Sequence, residues 1–281
     1  MTGSGSDKSN EARPGGKYNL QGLSRALRLL DGLAEAGGEG LSLTEAAEYI
    51  ETTKSTAFSV LRTLMEFDYV SSVGRTPRYR LGSAVVHLAD RYKKAVPWLE
   101  VARPVARDLT DRTKWTSRIA SHVGGHPVFQ DRVEAPGMIR FNTELGIREL
   151  PHRSAAGKAI LACLPESQVR HIVSESGLPR RTRNTITDVE ALLDDLQLTR
   201  RRGFAVDDEE DDEAVLCIAA AFHSSDVVPL GAISVTGLKA DMPDWRLQQT
   251  GPIVVNAAEQ ITRALGGNVR QTTESASAGA E

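Results

Sequence analysis

The chain has 281 residues, 40% of them hydrophobic and 25% charged, with a net charge of −3, proportions of a globular protein with one large domain or two modest ones. No apolar run approaches the roughly 18 to 20 residues of a membrane span, and the opening MTGSGSDKSNEARPGG lacks the apolar core of a secretion signal. Cys163 and Cys217 sit in apolar contexts and form no metal-spaced cluster with the six histidines, so the expectation is a cytoplasmic protein without metal, cofactor or membrane.

Residues 1–18 and 269–281 are polar and small and read as disordered tails. From Leu20, the pattern LQGLSRALRLLDGLAEAGG puts Leu23, Leu27, Leu30 and Ala34 on one helical stripe, with Gly37-Gly38 as its stop. Ser42, with Glu45 three residues later, is a capping-box signature that opens a short helix over about 43–50. TKSTAFSVLRTLMEF then carries Ala57, Val60, Leu61, Leu64 and Met65 on one face of a third helix. Its other face presents Lys54, Ser55, Phe58, Ser59 and Arg62. YVSSVGRTPRYRL reads as a hairpin turning at 74–77, with arginines at its tip.

Three helices followed by a basic hairpin make a winged helix-turn-helix, expected over 19–81. The net acidity of the chain conceals a local excess: residues 52–94 hold eight Lys or Arg and three acids, or +5. Local charge matters to phosphates more than the total does. The candidate DNA contacts are Arg25, Lys54, Ser55, Thr56, Phe58, Ser59, Arg62, Arg75 and Arg78. A helical module that binds only proteins is the alternative. GSAVVHLADRYKKA reads as a linking helix over 82–96 with Val85, Leu88 and Ala89 on one side, and Pro97 marks the boundary.

Residues 97–268 read as a second domain. WLEVARPVARDLTDRT is a helix with Leu99, Val101, Val105 and Leu109 inward and Pro104 as a kink or late start. Two alternating strands meet at Gly124-Gly125, and MIRFNTELGIREL supplies a further strand and a loop. Helices follow over about 155–164, 165–175 and 187–202, then the strands AVLCIAAAF and LGAISVTGL, then a helix over 245–265. The order describes an antiparallel sheet with helices packed outside, an α+β domain.

Within it, HRSAAGKAIL places Gly157-Lys158 near the start of a helix, as a phosphate-binding loop would. His152 stands where that motif needs its first glycine, and Ala159 where it needs a hydroxyl. Nucleotide binding is therefore not expected, although helix-start N–H groups still favour an anion. Lys158 is expected to pair with an acid and hold the helix. The acidic run DDEEDDE, 207–213, lacks the interleaved glycine of a calcium loop and reads as solvated.

LSLTEAAEYIETTKSTAFSVLRTLMEFDYV, followed by YRLGSAVVHLAD, resembles the DNA-binding half of the IclR family of bacterial transcriptional regulators. GIRELPHRSAAGKAILACLP, TRNTITDVEALLDDLQLTRRRGFAVDDEE and CIAAAF…LGAISVTG resemble its GAF-like effector domain. The resemblance spans nearly all of Leu20 to Gly266. The family usually has arginine at Ser59, glycine at Asp68, and Pro-Gly near Glu213-Ala214. These departures put any inherited base preference, the turn into the wing and the pocket rim in question. The resemblance implies dimer contacts through the linking helix and an effector pocket in the second domain.

Strand alternation suggests where that pocket lies. Leu216, Ile218, Ala220 and Phe222 share one face with Ile233 and Val235, while Val215, Cys217 and Ala219 share the other with Ala232, Ser234 and Thr236. The small, mildly polar face leaves room and hydrogen-bonding groups. The candidate effector residues are Ser154, Ala155, Ala156 and Gly157 at the helix start, with Asp207, Cys217, Ser234 and Thr236; Trp115, Arg140 and Phe141 are taken to lie nearby. Asp207 would accept from a ligand hydroxyl or fix a loop.

The expected protein is a DNA-binding regulator, more often a repressor in this family, that controls a catabolic operon. Its partners would be a double-stranded DNA operator and a small carboxylate effector, and it would act as a homodimer or a tetramer built as a dimer of dimers. The alternatives are an activator of the same family and a small-acid-processing enzyme with a helical module. Against the enzyme, no Ser–His–Asp or Cys–His order is recognisable.

Overall fold

A computed structural model describes residues 20–138, 140–141, 144–226 and 228–268. Both expected tails lie outside the described residues. The chain divides into two compact units between Ala95 and Val96.

The first unit contains α1 (Gln21–Glu35), α2 (Leu43–Tyr49), α3 (Lys54–Glu66), the hairpin strands β1 (Val70–Val73) and β2 (Arg78–Leu81), and α4 (Ser83–Lys94). The capping box forms as expected: Glu45 N–H donates to Ser42 Oγ at 3.3 Å, and Ser42 N–H donates to Glu45 Oε2 at 2.7 Å. Thr53 caps α3 by accepting from Thr56 N–H. The core gathers Leu29 and Leu33 of α1, Ala46, Ala47 and Ile50, Ala57 and Leu61 of α3, and Val70 and Tyr79 of the hairpin.

The α1 stripe is corrected here. Leu23 and Leu27 are exposed, and Leu29 and Leu33 face the core. This helix carries leucines on two stripes, and the packing decides between them. At Gly32 an added Cβ would lie 2.7 Å from the Tyr49 ring. The absent side chain lets that ring close against α1 beside Leu29 and Leu33. Asp68, standing where the family prefers glycine, has φ +59. The turn into the wing therefore keeps the left-handed conformation, which costs a non-glycine residue on the order of 1 kcal/mol.

The second unit is α5 (Pro97–Thr113), β3 (Thr116–Val123), β4 (His126–Val133), α6 (Ala155–Ala162), α7 (Glu166–Ser176), α8 (Val189–Arg202), β5 (Ala205–Asp208), β6 (Val215–His223), β7 (Pro229–Leu238) and α9 (Asp244–Ala264). The strands form one antiparallel sheet in the order β4-β3-β7-β6-β5. The architecture is α+β. Its bulky face (Ile119, Leu216, Ile218, Phe222, Ile233, Val235) packs with Leu99, Ala102, Ala106 and Leu109 of α5 and Val254, Ala258 and Ile261 of α9. Its small face (Ala120, Cys217, Ala219, Ala232) lies under Ala155, Ala156, Ala159 and Ile160 of α6. α5 runs through Pro104 rather than starting after it.

Two sequence readings change. Of the strand and loop expected within 138–150, the described residues form only the loop, joined to the sheet by an isolated bridge between Arg148 and Val128. Of that stretch, Ile139, Asn142 and Thr143 lie outside the described residues. β5 is a strand the sequence did not announce: it pairs with β6, putting Asp207 opposite Cys217. Among the described residues, no helix is long and apolar enough to cross a membrane.

Candidate functional site: a groove helix and an anion pocket

In the first unit, the face of α3 opposite Ala57 and Leu61 presents Lys54, Ser55, Phe58, Ser59 and Arg62 to solvent, and Phe58 keeps 45% of its surface exposed. A charged and hydroxylated helix face with an exposed ring fits phosphates, base edges and a thymine methyl. The hydroxyl of Ser59 is turned back to donate to the Ser55 carbonyl at 3.1 Å. Thr56 is half-buried, its hydroxyl 3.0 Å from that of Thr53. Arg25 is half-buried on α1, and Arg75 is exposed at the hairpin turn.

Arg78 differs from the expected wing-tip cation. Its Nε donates to the Glu39 carbonyl at 2.8 Å, and its Nη2 donates to that of Gly40 at 2.7 Å and lies 3.2 Å from Glu45. It ties the wing to the turn before α2. Glu45, held by Ser42 and Arg78, has its carboxyl shifted below the usual range, mainly by the Ser42 N–H bond.

In the second unit, a small, partly open pocket lies between the start of α6 and the small face of the sheet. Six of the eight expected effector residues line it: Ser154, Ala155, Ala156, Asp207, Cys217 and Ser234. Ser154 caps α6, accepting from Gly157 N–H at 3.1 Å. Ala155 and Ala156, the first helical residues, have no intrahelical acceptor for their N–H groups. Those donors and the positive end of the helix favour an anion.

The other two support the walls. A Cβ on Gly157 would come within 2.4 Å of the Pro151 backbone, so glycine there lets the 151–154 segment close on the helix. Thr236 is fully buried, its hydroxyl 3.2 Å from Cys217 Sγ. Burial pushes the Cys217 thiol well above its usual range, which makes it a neutral wall atom. Trp115 is not near the pocket: it belongs to the core on the opposite face of the sheet, with Gly237 against its ring. Arg140 donates to the carbonyls of Ala135 and Gly137 in its own loop.

The acidic run is solvated only in part, with Glu213 exposed. Asp207 and Glu210 are buried. Asp207 Oδ1 accepts from the N–H groups of Glu210 at 2.8 Å and Asp211 at 3.3 Å. Its pKa is pushed up to about 7, chiefly by burial and then by Glu210. Glu210 is also shifted upward by burial, against the pull of Lys158. Lys158 is fully buried and lies 2.6 Å from Glu210 and 3.0 Å from Asp195 of α8. Its role is to fix α6, as the sequence suggested. Arg153 pairs with Asp211 at 2.7 Å, and Arg181 with Asp211 and Asp212. Ala214, where the family prefers Pro-Gly, takes φ +63 and so preserves a left-handed turn at the rim.

Arg118, Phe129 and Glu149 also line the pocket and were missed. Arg118 had a readable signal: it sits mid-strand, one position from Ile119 on the core face, and alternation turns a charged residue onto the pocket side. Phe129 lies opposite Ala120 on β4. Among the described residues, no group of His, Cys, Asp and Glu is arranged to hold a metal ion.

The family model for the IclR helix-turn-helix domain matches residues 22–74, and that for the bacterial transcriptional regulator IclR C-terminal domain matches residues 91–263. The transcriptional repressor IclR of Escherichia coli is 30% identical over 250 residues, covering 88% of this chain and 91% of that protein. The HTH-type transcriptional repressor AllR of Escherichia coli is 30% identical over 256 residues, covering 91% of this chain and 94% of that one. The crystal structure of the Thermotoga maritima IclR aligns with a TM-score of 0.75 at 26% identity, over 87% of this chain and 98% of that one. An IclR homologue from Microbacterium hydrocarbonoxydans, solved with 4-hydroxybenzoate, shares the fold with a TM-score of 0.73 at 22% identity, over 87% and 99%. With a helix-turn-helix that exposes a basic, hydroxylated third helix and an α+β unit enclosing a polar pocket, the chain belongs to the IclR family of bacterial transcriptional regulators, DNA-binding proteins and not enzymes.

Proposed function

We propose that the chain is a repressor of a catabolic operon whose operator binding is set by a small carboxylate effector. The pocket against the α6 N-terminus carries this reading: the helix-start residues Ala155 and Ala156, Ser154, Ser234 and Arg118 line one pocket. The curated relatives named as repressors support the sign of regulation. The acid bound by the Microbacterium homologue is in keeping with an acidic effector. DNA contacts come from Lys54, Ser55, Phe58, Ser59 and Arg62 on α3, with Arg25, Thr56, Arg75 and Arg78 at its margins. The active species is a homodimer or a dimer of dimers, because a symmetric operator needs two recognition helices about one helical turn apart. An effector shifts the equilibrium only as far as it prefers one arrangement of the oligomer.

A salt-titrated mobility shift on DNA upstream of the chain's own gene, with and without a panel of organic acids, tests both halves. Arg62→Ala is expected to weaken binding and lower the salt slope by about 1. Absence of sequence preference at every salt concentration overturns the regulator reading at that site. Ser234→Ala is expected to weaken the response to the active acid roughly three- to tenfold, the worth of one hydrogen bond. If neutral compounds shift the complex and acids do not, the effector is not a carboxylate.

A further inference from the structure

The wing is a two-stranded ribbon whose tip lies outside the core. β1 and β2 pair from Val70 opposite Leu81 to Val73 opposite Arg78. Past Val70 the outgoing strand buries nothing: Ser71, Ser72 and Val73 are exposed, as are residues 74–77 of the turn. On the returning strand Tyr79 enters the core, and its N–H and carbonyl pair with Leu41 at 2.7 and 2.9 Å. A hairpin with no apolar face to bury has little to hold it.

Arg78, the first residue of β2, is placed between that core and the tip. Its guanidinium reaches the turn between α1 and α2, where Nε donates to the Glu39 carbonyl at 2.8 Å and Nη2 to that of Gly40 at 2.7 Å. Nη2 also lies 3.2 Å from Oε2 of Glu45. Glu45 closes the cap of α2, whose Ala46 and Ala47 share a core with Ala57 and Leu61 of α3. One side chain therefore ties the root of the tip to the frame that carries the recognition helix. Gly40 permits the approach: it holds φ +65, and an added Cβ would run into the Tyr79 carbonyl. The planar fork lets a single residue bridge two carbonyls and a carboxylate, which a lysine ammonium on a flexible stem does not reproduce.

These bonds occupy donors that a phosphate would need, whereas Arg75, three residues earlier in the turn, is exposed. We propose that Arg78 is a positioning residue for DNA binding: it meets no phosphate itself and acts by fixing the wing so that Arg75 does. This rests on the DNA-contact reading of the wing and moves Arg78 within it from contact to support. Released from the frame, the tip has to be ordered when DNA binds, and affinity falls.

Salt-titrated mobility shifts of the full chain on the same upstream fragment test it. The variants are Arg75→Gln, Arg78→Gln, their combination and Arg78→Lys, each checked for folding by thermal melt. Arg75→Gln is expected to lower the salt slope by about 1. Arg78→Gln is expected to weaken binding roughly three- to tenfold, the cost of ordering a loose tip. It should add little once Arg75 is gone, because the two residues act as one unit. The double variant then loses about 1 from the slope. Arg78→Lys, which keeps the charge without the fork, binds nearer to Arg78→Gln than to the native chain. A slope lowered by about 2 in the double variant, with additive losses, means that Arg78 holds a phosphate of its own and overturns the proposal. Native affinity in Arg78→Gln or Arg78→Lys also overturns it, because the wing is then placed without the fork. If Arg75→Gln alone changes nothing, the tip makes no contact and the proposal falls, while the reading of α3, tested by Arg62→Ala, stands.

Discussion

Lys158→Met is expected to destabilise the effector unit by about 3–5 kcal/mol, the cost of leaving buried charge without its partner. For a unit of this size, that lowers the melting temperature by roughly 6–20 °C. Lys158 is fully buried between Glu210 at 2.6 Å and Asp195 at 3.0 Å, so methionine fills most of the volume and removes only the charge. Glu210, already shifted upward by burial, then loses the cation that opposes the shift. In the variant it takes up a proton more readily, so the deficit shrinks as pH falls and grows as pH rises. Adding Glu210→Gln is expected to restore part of the loss by removing the stranded charge. Calorimetric melts of the three proteins at about pH 5 and about pH 8 settle the matter. An unchanged melting temperature for Lys158→Met at the higher pH means that the pair does not hold α6 in place. The consequence for function is direct, because the same helix supplies the Ala155 and Ala156 donors to the pocket.

What could be read without coordinates was whatever local periodicity controls. The α3 stripe, the Ser42–Glu45 box and the hairpin at Gly74 follow from spacing within a dozen residues, and all three form. The alternation in β6 and β7 sorted bulky from small residues correctly, and so located the pocket wall. What failed depended on distant partners. Seven consecutive positions from Asp207 to Glu213 are acidic, a pattern that locally means solvent. Burial of Asp207 and Glu210 follows from Lys158, Arg153 and Arg181, which are remote in sequence. α1 offered two leucine stripes, and the choice depended on Tyr49 closing against Gly32. Arg118 differs, because alternation with Ile119 already put it on the face opposite the core. A charged residue in a strand is ordinarily a surface residue, and only the packing of α6 over that face made it a pocket residue.

Asp207 is expected to make both stability and acid binding depend on pH near neutrality. Its pKa stands at about 7 against an ordinary value of 3.8, a difference worth about 4 kcal/mol between the two protonation states. A raised folded-state value means that the native chain holds a proton the unfolded chain has released. Its contribution is therefore fully present below about pH 4 and is lost as pH rises through about 7. The charges around it are Glu210 and Asp211 on its own segment, Lys158 from α6, and Arg118 across the pocket. Both N–H donors converge on Oδ1, so asparagine keeps the loop contacts while removing the titration. Relative to the native chain, Asp207→Asn should gain stability steadily from about pH 4 to pH 8, by up to about 4 kcal/mol, read from urea unfolding at each pH. The same proton bears on the proposed effector. An anion entering the pocket is repelled by the carboxylate and accepted by the neutral acid, so binding takes up a proton, and carboxylate affinity rises as pH falls through 7. Titrations in buffers of different ionisation enthalpy measure that uptake. Asp207→Asn should abolish it and hold the acidic-pH affinity at pH 8. A proton uptake that survives the substitution would assign the pH dependence to another group, and Asp207 would then serve only to shape the 207–211 loop.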